Sequence, residues 1–149
     1  MKSPAQLIQE ALVLDGVGTA PADAGAWPIF YSHMPKTGAG VPLPVICTYN
    51  SPATVGSTNQ RTGKPYVRYG LQVRVRATGH DDGWTRMQAV ITFLDSIKNM
   101  EVVDGGDTVT IHAAKRTSDA LVMGPDPEDQ RAFHFSVNAT LSLTTRPAP

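Results

Sequence analysis

Arg68, Gln72, Arg74 and Arg76 fall at even positions of one extended run, Pro65 to Ala77. Side chains two residues apart on a strand share a face, so these four form a linear, mostly positive row. Guanidinium groups in a row suit carboxylates or phosphates, because each presents a planar fork of donors. The row therefore reads either as an ordinary solvated sheet face or as a contact for acidic residues of another subunit or for nucleic acid.

Other residues with chemical potential lead less far. Gly56 to Lys64 has the flavour of a phosphate-binding loop, but six residues separate Gly56 from Gly63-Lys64 where four are needed, and Pro65 follows. His33, His80, His112 and His134 include no helical i, i+4 pair, although His112 and His134 could meet across strands. Asp119, Asp126, Glu128 and Asp129 supply oxygen atoms, yet their spacing is not that of an EF-hand and prolines interrupt it. They read as a solvated acidic loop and a candidate contact for the arginine row. Asp81 and Asp82 read as helix-start acids, explained by capping and by the macrodipole. Cys47 is the one cysteine, which excludes an internal disulfide and a multi-cysteine zinc site. With no nucleophile elbow either, the expectation is a protein that is not an enzyme, with no cofactor and no metal.

Composition narrows the class further. Thirteen basic and thirteen acidic residues give a formal net charge of zero, against the basic excess of a dedicated nucleic-acid or membrane-surface module. Charged residues make up 17%, below the usual quarter, as expected for a surface that is either modestly soluble or partly covered by other subunits. The chain opens on no signal-peptide pattern, and no apolar run nears the ~20 residues that span a bilayer. The expected setting is a reducing cytoplasm, with no membrane partner.

The elements that position these residues follow from periodicity. Val67, Tyr69, Leu71, Val73, Val75 and Ala77 alternate with the arginine row, giving a strand with one apolar face. Met87, Val90, Ile91, Leu94 and Ile97 then fall at helical spacing, predicting a helix from Trp84 to Asn99 that covers that face. Ser3-Pro4-Ala5-Gln6 predicts a capped helix with Leu7, Ile8, Ala11, Leu12 and Leu14 inward, ended by Asp15-Gly16. Strands are predicted at Trp27–Met34 and Leu43–Asn50. Residues 51–64, polar and without periodicity, read as a mobile arm joining two strands as an extended hairpin, with Arg61 and Lys64 as candidate partner-binding residues. Asp104-Gly105-Gly106-Asp107 predicts a hairpin between Met100–Val103 and Val109–Lys115. A loop is expected over 117–129, then a second long one-sided strand from Arg131 to Arg146 beside the first, and a frayed tail over 146–149. The fold class is one α+β domain over 1–149: a mainly antiparallel sheet, two helices packed on one face, and a long hairpin arm.

This order resembles the tail terminator proteins of long-tailed bacteriophages, also described as minor capsid or tail completion proteins. The resemblance rests on the strand Arg68-Tyr69-Gly70-Leu71-Gln72-Val73-Arg74-Val75-Arg76, the acidic turn, the helix with Met87-Gln88-Ala89-Val90-Ile91-Thr92-Phe93-Leu94, and the strand Arg131-Ala132-Phe133-His134-Phe135-Ser136-Val137-Asn138. It implies a structural virion subunit of the tail and neck, assembled in the host cytoplasm. Such a subunit forms a six-membered ring on the tail tube protein, ends tube polymerisation, and offers a surface to the head–tail connector protein. The free protein need not be in the ring, which the tube can template from monomers. The alternative is a nucleic-acid-binding module using the Arg68/Arg74/Arg76 face.

Overall fold

The computed structural model describes residues 2–23, 25–36, 44–58, 65–125 and 131–146, the last two residues and 52–58 and 65–67 by backbone alone. Helix α1 (Pro4–Leu14) begins with a capping box: Ser3 Oγ accepts from the Gln6 N–H at 3.3 Å, and Gln6 Oε1 accepts from the Ser3 N–H at 2.9 Å. Gly16, at φ 78°, takes the left-handed conformation that ends the helix. Leu7, Ile8, Ala11 and Leu12 are buried, but Leu14 is 83% exposed and lies off the inward stripe. The helix is fastened to the sheet at its first turn. Asn50 Oδ1 accepts from the Ala5 N–H at 3.0 Å, satisfying one of the donors a helix start leaves unpaired. The buried Thr48 hydroxyl donates to the Ala5 carbonyl at 2.8 Å.

The strands are β1 (Ile29–Tyr31), β2 (Val45–Thr58), β3 (Pro65–Ala77), β4 (Lys98–Asp104), β5 (Asp107–Arg116), β6 (Leu121–Pro125) and β7 (Phe133–Arg146), with helix α2 (His80–Ser96) between β3 and β4. Among the described residues they form one seven-stranded sheet in the order β1-β2-β3-β7-β5-β4, with β6 also on β7. Every pairing is antiparallel except β1 with β2. The long one-sided strands β3 and β7 are neighbours, in unbroken register from Val67↔Leu143 to Ala77↔Phe133. Their odd-numbered residues face the helices. Leu71, Val73, Val75, Phe135, Val137, Ala139 and Leu141 form one cluster with Leu7, Ile8 and Leu12 of α1 and Met87, Val90 and Leu94 of α2. Burying each such side chain stabilises the fold by roughly 1.5–3 kcal/mol.

Several further expectations need correction. The strand expected over Trp27–Met34 shrinks to three residues, because Trp27 (φ 61°) and Ser32 (φ 58°) are left-handed and break extension on either side. The segment expected to be a loop from Ser51 continues as strand to Thr58, where it pairs with Pro65. Backbone pairing does not need side-chain periodicity, so the pattern is silent there; Arg61 and Lys64 lie outside the described residues. Helix α2 starts at His80 rather than Trp84, with Gly79 as an N-cap that offers no side chain. Asp81 and Asp82 therefore occupy the first turn and act through the macrodipole, not as caps. The expected loop over 117–129 contains β6; Asp126, Glu128 and Asp129 lie outside the described residues, as does the tail from 147.

The hairpin signal at Asp104–Asp107 is realised, with Gly105 at φ 63° and Gly106 at φ 120° supplying the two positive-φ positions of a tight turn. Beyond it, β5 and β6 run along β7 as one interrupted strand. Register shifts fall between Ile111 and Ala113 and between Val122 and Gly124, and residues 117–120 form a further break.

Packing of α2 on the sheet generates two expectations. Leu94 is fully buried, so Leu94→Asp would bury an unpaired carboxylate at a cost of several kcal/mol and should abolish soluble expression. Gly83 lies where a Cβ would come 2.3 Å from Phe135 Cε2 and 3.0 Å from Ala77 Cβ. Gly→Ala inside a helix ordinarily stabilises by about 1 kcal/mol. Here overpacking against a fully buried ring reverses the sign, and Gly83→Ala should lose about 1–3 kcal/mol in a urea titration. A gain would place the helix farther from the sheet.

Candidate functional site

The arginine row lies on the sheet face opposite the helices. Register sets its neighbours: Val45↔Arg76↔His134, Cys47↔Arg74↔Ser136, Tyr49↔Gln72↔Asn138, and Thr54↔Arg68↔Ser142. Burial is graded along the row. Arg68 is exposed, Gln72 and Arg74 are half-buried, and Arg76 is only 3% exposed. The row is therefore not the continuous solvated strip that alternation predicts.

The cover comes from the chain after β1. Ser32 N–H donates to the Thr48 carbonyl at 2.7 Å, and the following residues turn over the end of the polar face. There the Pro35 carbonyl accepts from an Arg76 guanidinium nitrogen at 2.5 Å. The His33 backbone hydrogen-bonds at the Cys47 thiol and the Met34 backbone at the Tyr49 hydroxyl. Burial pushes the Cys47 thiol up, against the opposing pull of the Tyr49 hydroxyl and of the Arg74 and Arg76 charges. Burial also raises the Tyr49 phenol, helped by its hydrogen bond to Cys47. Neither group is poised to ionise near neutrality, so Cys47 is a buried, inert thiol.

In the middle of the row the polar groups are spent on one another. Arg74 Nε donates to Gln72 Oε1 at 2.9 Å, and Gln72 Nε2 donates to Asn138 Oδ1 at 3.1 Å. The Arg74 guanidinium also lies over the Tyr49 ring, 5.3 Å from its centroid. This chain of contacts ties the middle of the face into one polar surface. A neighbour or a polyanion can reach Arg68 and Arg74 on it; it cannot reach Arg76 without displacing 32–36.

The remaining candidates do not come together. His112 is held by Asn99 Oδ1 and Thr144 Oγ1, both at 2.8 Å, while His134 pairs across from Arg76 at the other end of β7. Asp119 meets its own chain: its carboxylate is 3.4 Å from Arg116, which also holds Asp95 at 2.8 Å. Among the described residues no group of three or more His, Cys, Asp or Glu could hold a metal ion. None of the described helices is long and apolar enough to cross a membrane. Sequence reasoning missed Arg86, which falls off the apolar stripe of its helix. It donates to the Val17 carbonyl at 2.6 Å and stacks over Trp27 at 4.9 Å, tying α2 to the loop before β1. A shallow cavity of about 280 Å³ opens beside this stack, lined by Trp27, Pro44, Asp82 and Arg86 among others.

The sequence matches no family model and no curated protein. The fold is similar to that of a chain in the virion of a native gene transfer agent particle, at 15% identity and a TM-score of 0.55, over 96% of this chain and 98% of that one. A second solved chain aligns over 98% of this chain and 99% of its own, at 19% identity and a TM-score of 0.49.

The covered end of the polar face makes a direct expectation. With Cys47 fully buried and its thiol held protonated, the native protein should not react with Ellman's reagent at about pH 8, where a free thiol is partly ionised. One equivalent should react after unfolding in guanidinium. Prompt native reaction would show that residues 32–36 leave the face open.

Proposed function

We propose that this chain is a non-enzymatic structural subunit of a phage-type virion, and specifically a tail terminator. In this reading 1–149 is one domain that assembles head-to-tail into a six-membered ring at the end of the tail tube. The ring stops tube polymerisation and presents its other side to the head–tail connector. The protein would then reside in the tail or neck of the particle, after assembly in the host cytoplasm. The observation that carries the proposal is the shared fold with a chain of a gene transfer agent virion along nearly the whole of both chains. The ring size and the tube-capping role come from the resemblance in the sequence. The polar face supports it from the other side: its groups are hydrogen-bonded to one another rather than arranged around a substrate.

The accessible part of the arginine row, Arg68 and Arg74 with Gln72 between, is the proposed ring contact or channel lining. A heterologous contact puts two different patches together, so a positive patch needs an acidic counterpart on the neighbouring subunit. The acidic stretch Asp119, Asp126, Glu128 and Asp129 is the proposed counterpart. If the face lines the channel instead, it meets passing DNA weakly and with a steep dependence on salt.

The test uses tail tube protein polymerised with and without this chain. Capped tubes of arrested length, with six-membered rings at one end by electron microscopy, are the expected result. Tubes of unchanged length distribution would overturn the terminator role. Arg68→Glu/Arg74→Glu separates the site from the function, because both residues are reachable without unfolding the buried Arg76. It should abolish rings in native mass spectrometry if the face is a subunit contact. It should leave rings intact but slow DNA delivery if the face lines the channel. Normal rings with normal delivery would reduce the row to ordinary surface.

A further inference from the structure

The segment 32–36 lies over the end of the polar face, and polar contacts hold it there. The Ser32 N–H donates to the Thr48 carbonyl at 2.7 Å, and the Pro35 carbonyl accepts from Arg76 at 2.5 Å. Between them the His33 backbone meets the Cys47 thiol, and the Met34 backbone meets the Tyr49 hydroxyl. None of the five residues is buried: Ser32, His33 and Lys36 are exposed, and Met34 and Pro35 are half-buried. Neither Met34 nor Pro35 packs against the hydrophobic core. The segment belongs to no helix or strand. Ser32 is left-handed, at φ 58°, a conformation that disfavours residues with a Cβ.

Lifting such a segment costs little. Stretches with few buried apolar groups lie at the low-stability end of a fold. The hydrogen bonds that hold this one would be exchanged for bonds to water, and each contributes little net. Ser32 would also be free to leave the left-handed region. What is uncovered is polar or small: the Arg76 guanidinium, the Tyr49 hydroxyl and the Cys47 thiol. The pairing of β1 with β2 ends at Tyr31↔Thr48, just before the segment, so the sheet itself need not change.

We propose that residues 32–36 are a displaceable strap, and that an extended acidic segment of a partner protein lifts it to bind Arg68, Arg74 and Arg76 as one row. With the strap down, Arg68 and Arg74 are reachable and Arg76 is not. With it lifted, the row gains a third guanidinium, two residues from Arg74 on the same face of β3. Carboxylates at every second residue of an extended partner repeat at the same spacing, roughly 6.6–6.8 Å. Each guanidinium can hold a carboxylate through two parallel hydrogen bonds. Nucleic acid fits less well. The chain has no net positive charge, and the Tyr49 ring on this face already carries Arg74, so it offers no surface for stacking a base. A ligand that reaches Arg76 favours the lifted form, and one that stops at Arg74 does not. The proposal rests on reading the row as a contact for carboxylates, but not on the ring or the tail tube.

Octaglutamate in low salt serves as the probe. In the wild type, the Ser32 amide is held by the Thr48 carbonyl, and its hydrogen exchange should speed up when the peptide is added. Ser32→Pro removes that N–H and forbids the positive φ, so it should leave the strap lifted. In that variant N-ethylmaleimide should label Cys47 without denaturant. Octaglutamate should bind it about tenfold more tightly or better, a gain that adding Arg76→Gln removes. Peptide binding with unchanged Ser32 exchange, no gain in Ser32→Pro, or a gain that survives Arg76→Gln would overturn the strap and leave the carboxylate contact standing. No binding to either protein, although Cys47 is labelled in Ser32→Pro, would overturn the contact and the proposal with it. Tighter binding of oligothymidylate than of octaglutamate would make the partner a nucleic acid and overturn the choice of occupant. If Ser32→Pro does not fold, the exchange experiment on the wild type decides alone.

Discussion

Everything else in the molecule is arranged around the pairing of β3 with β7. Their register runs unbroken over eleven partners, and in both strands every second residue is apolar. A one-residue slip would send all of those side chains to the opposite face, so the pair cannot drift without losing the core. Once that register is set, one face has to be covered by helices and the other has to be satisfied as a polar surface. Helix α1 meets the first requirement over β2 and β3, and α2 over β3, β7 and β5. The Thr48 and Asn50 contacts with Ala5 add direction to that packing, because they fix where along β2 the first helix turn sits. The net of Tyr49, Arg74, Gln72 and Asn138 meets the second requirement.

Where the chain alternates or repeats at helical spacing, its sequence states its structure. The strands β3 and β7, both helices and the glycine turn between β4 and β5 were legible for that reason. β1 was misjudged because hydrophobicity says nothing about the left-handed backbone at Trp27 and Ser32 that cuts it to three residues. β6 was hidden for a different reason: Leu121, Val122 and Met123 are consecutive rather than alternating, since both faces of that strand are open. The arginine row was correctly placed on one face. Its burial gradient was not visible, because the cover over Arg76 is backbone from 32–36, and a backbone carbonyl leaves no mark in a residue pattern.

The polar face is stitched together by its own side chains, so Gln72, Arg74, Tyr49 and Asn138 already hold one another in place. The fold is similar to that of a chain of a gene transfer agent virion, at an identity of 15%. A fold of this kind can be kept by many residue types, which is consistent with an alignment from end to end at so low an identity.

The interrupted strand β5–β6 has a consequence for geometry. Between Thr108↔Arg146 and Pro125↔Phe133 it takes seventeen residue steps, while β7 takes thirteen. The longer path must follow the outside of a bend, so the hairpin is curved with β7 on its inner arc. That surplus is also slack. Residues can be added to or removed from the outer path at its breaks while β7, and through it the register with β3, stays where it is. The outer rim of the sheet can therefore change its length and profile over evolutionary time without any adjustment of the core, leaving the inner strands as a fixed gauge against which new neighbours can be fitted.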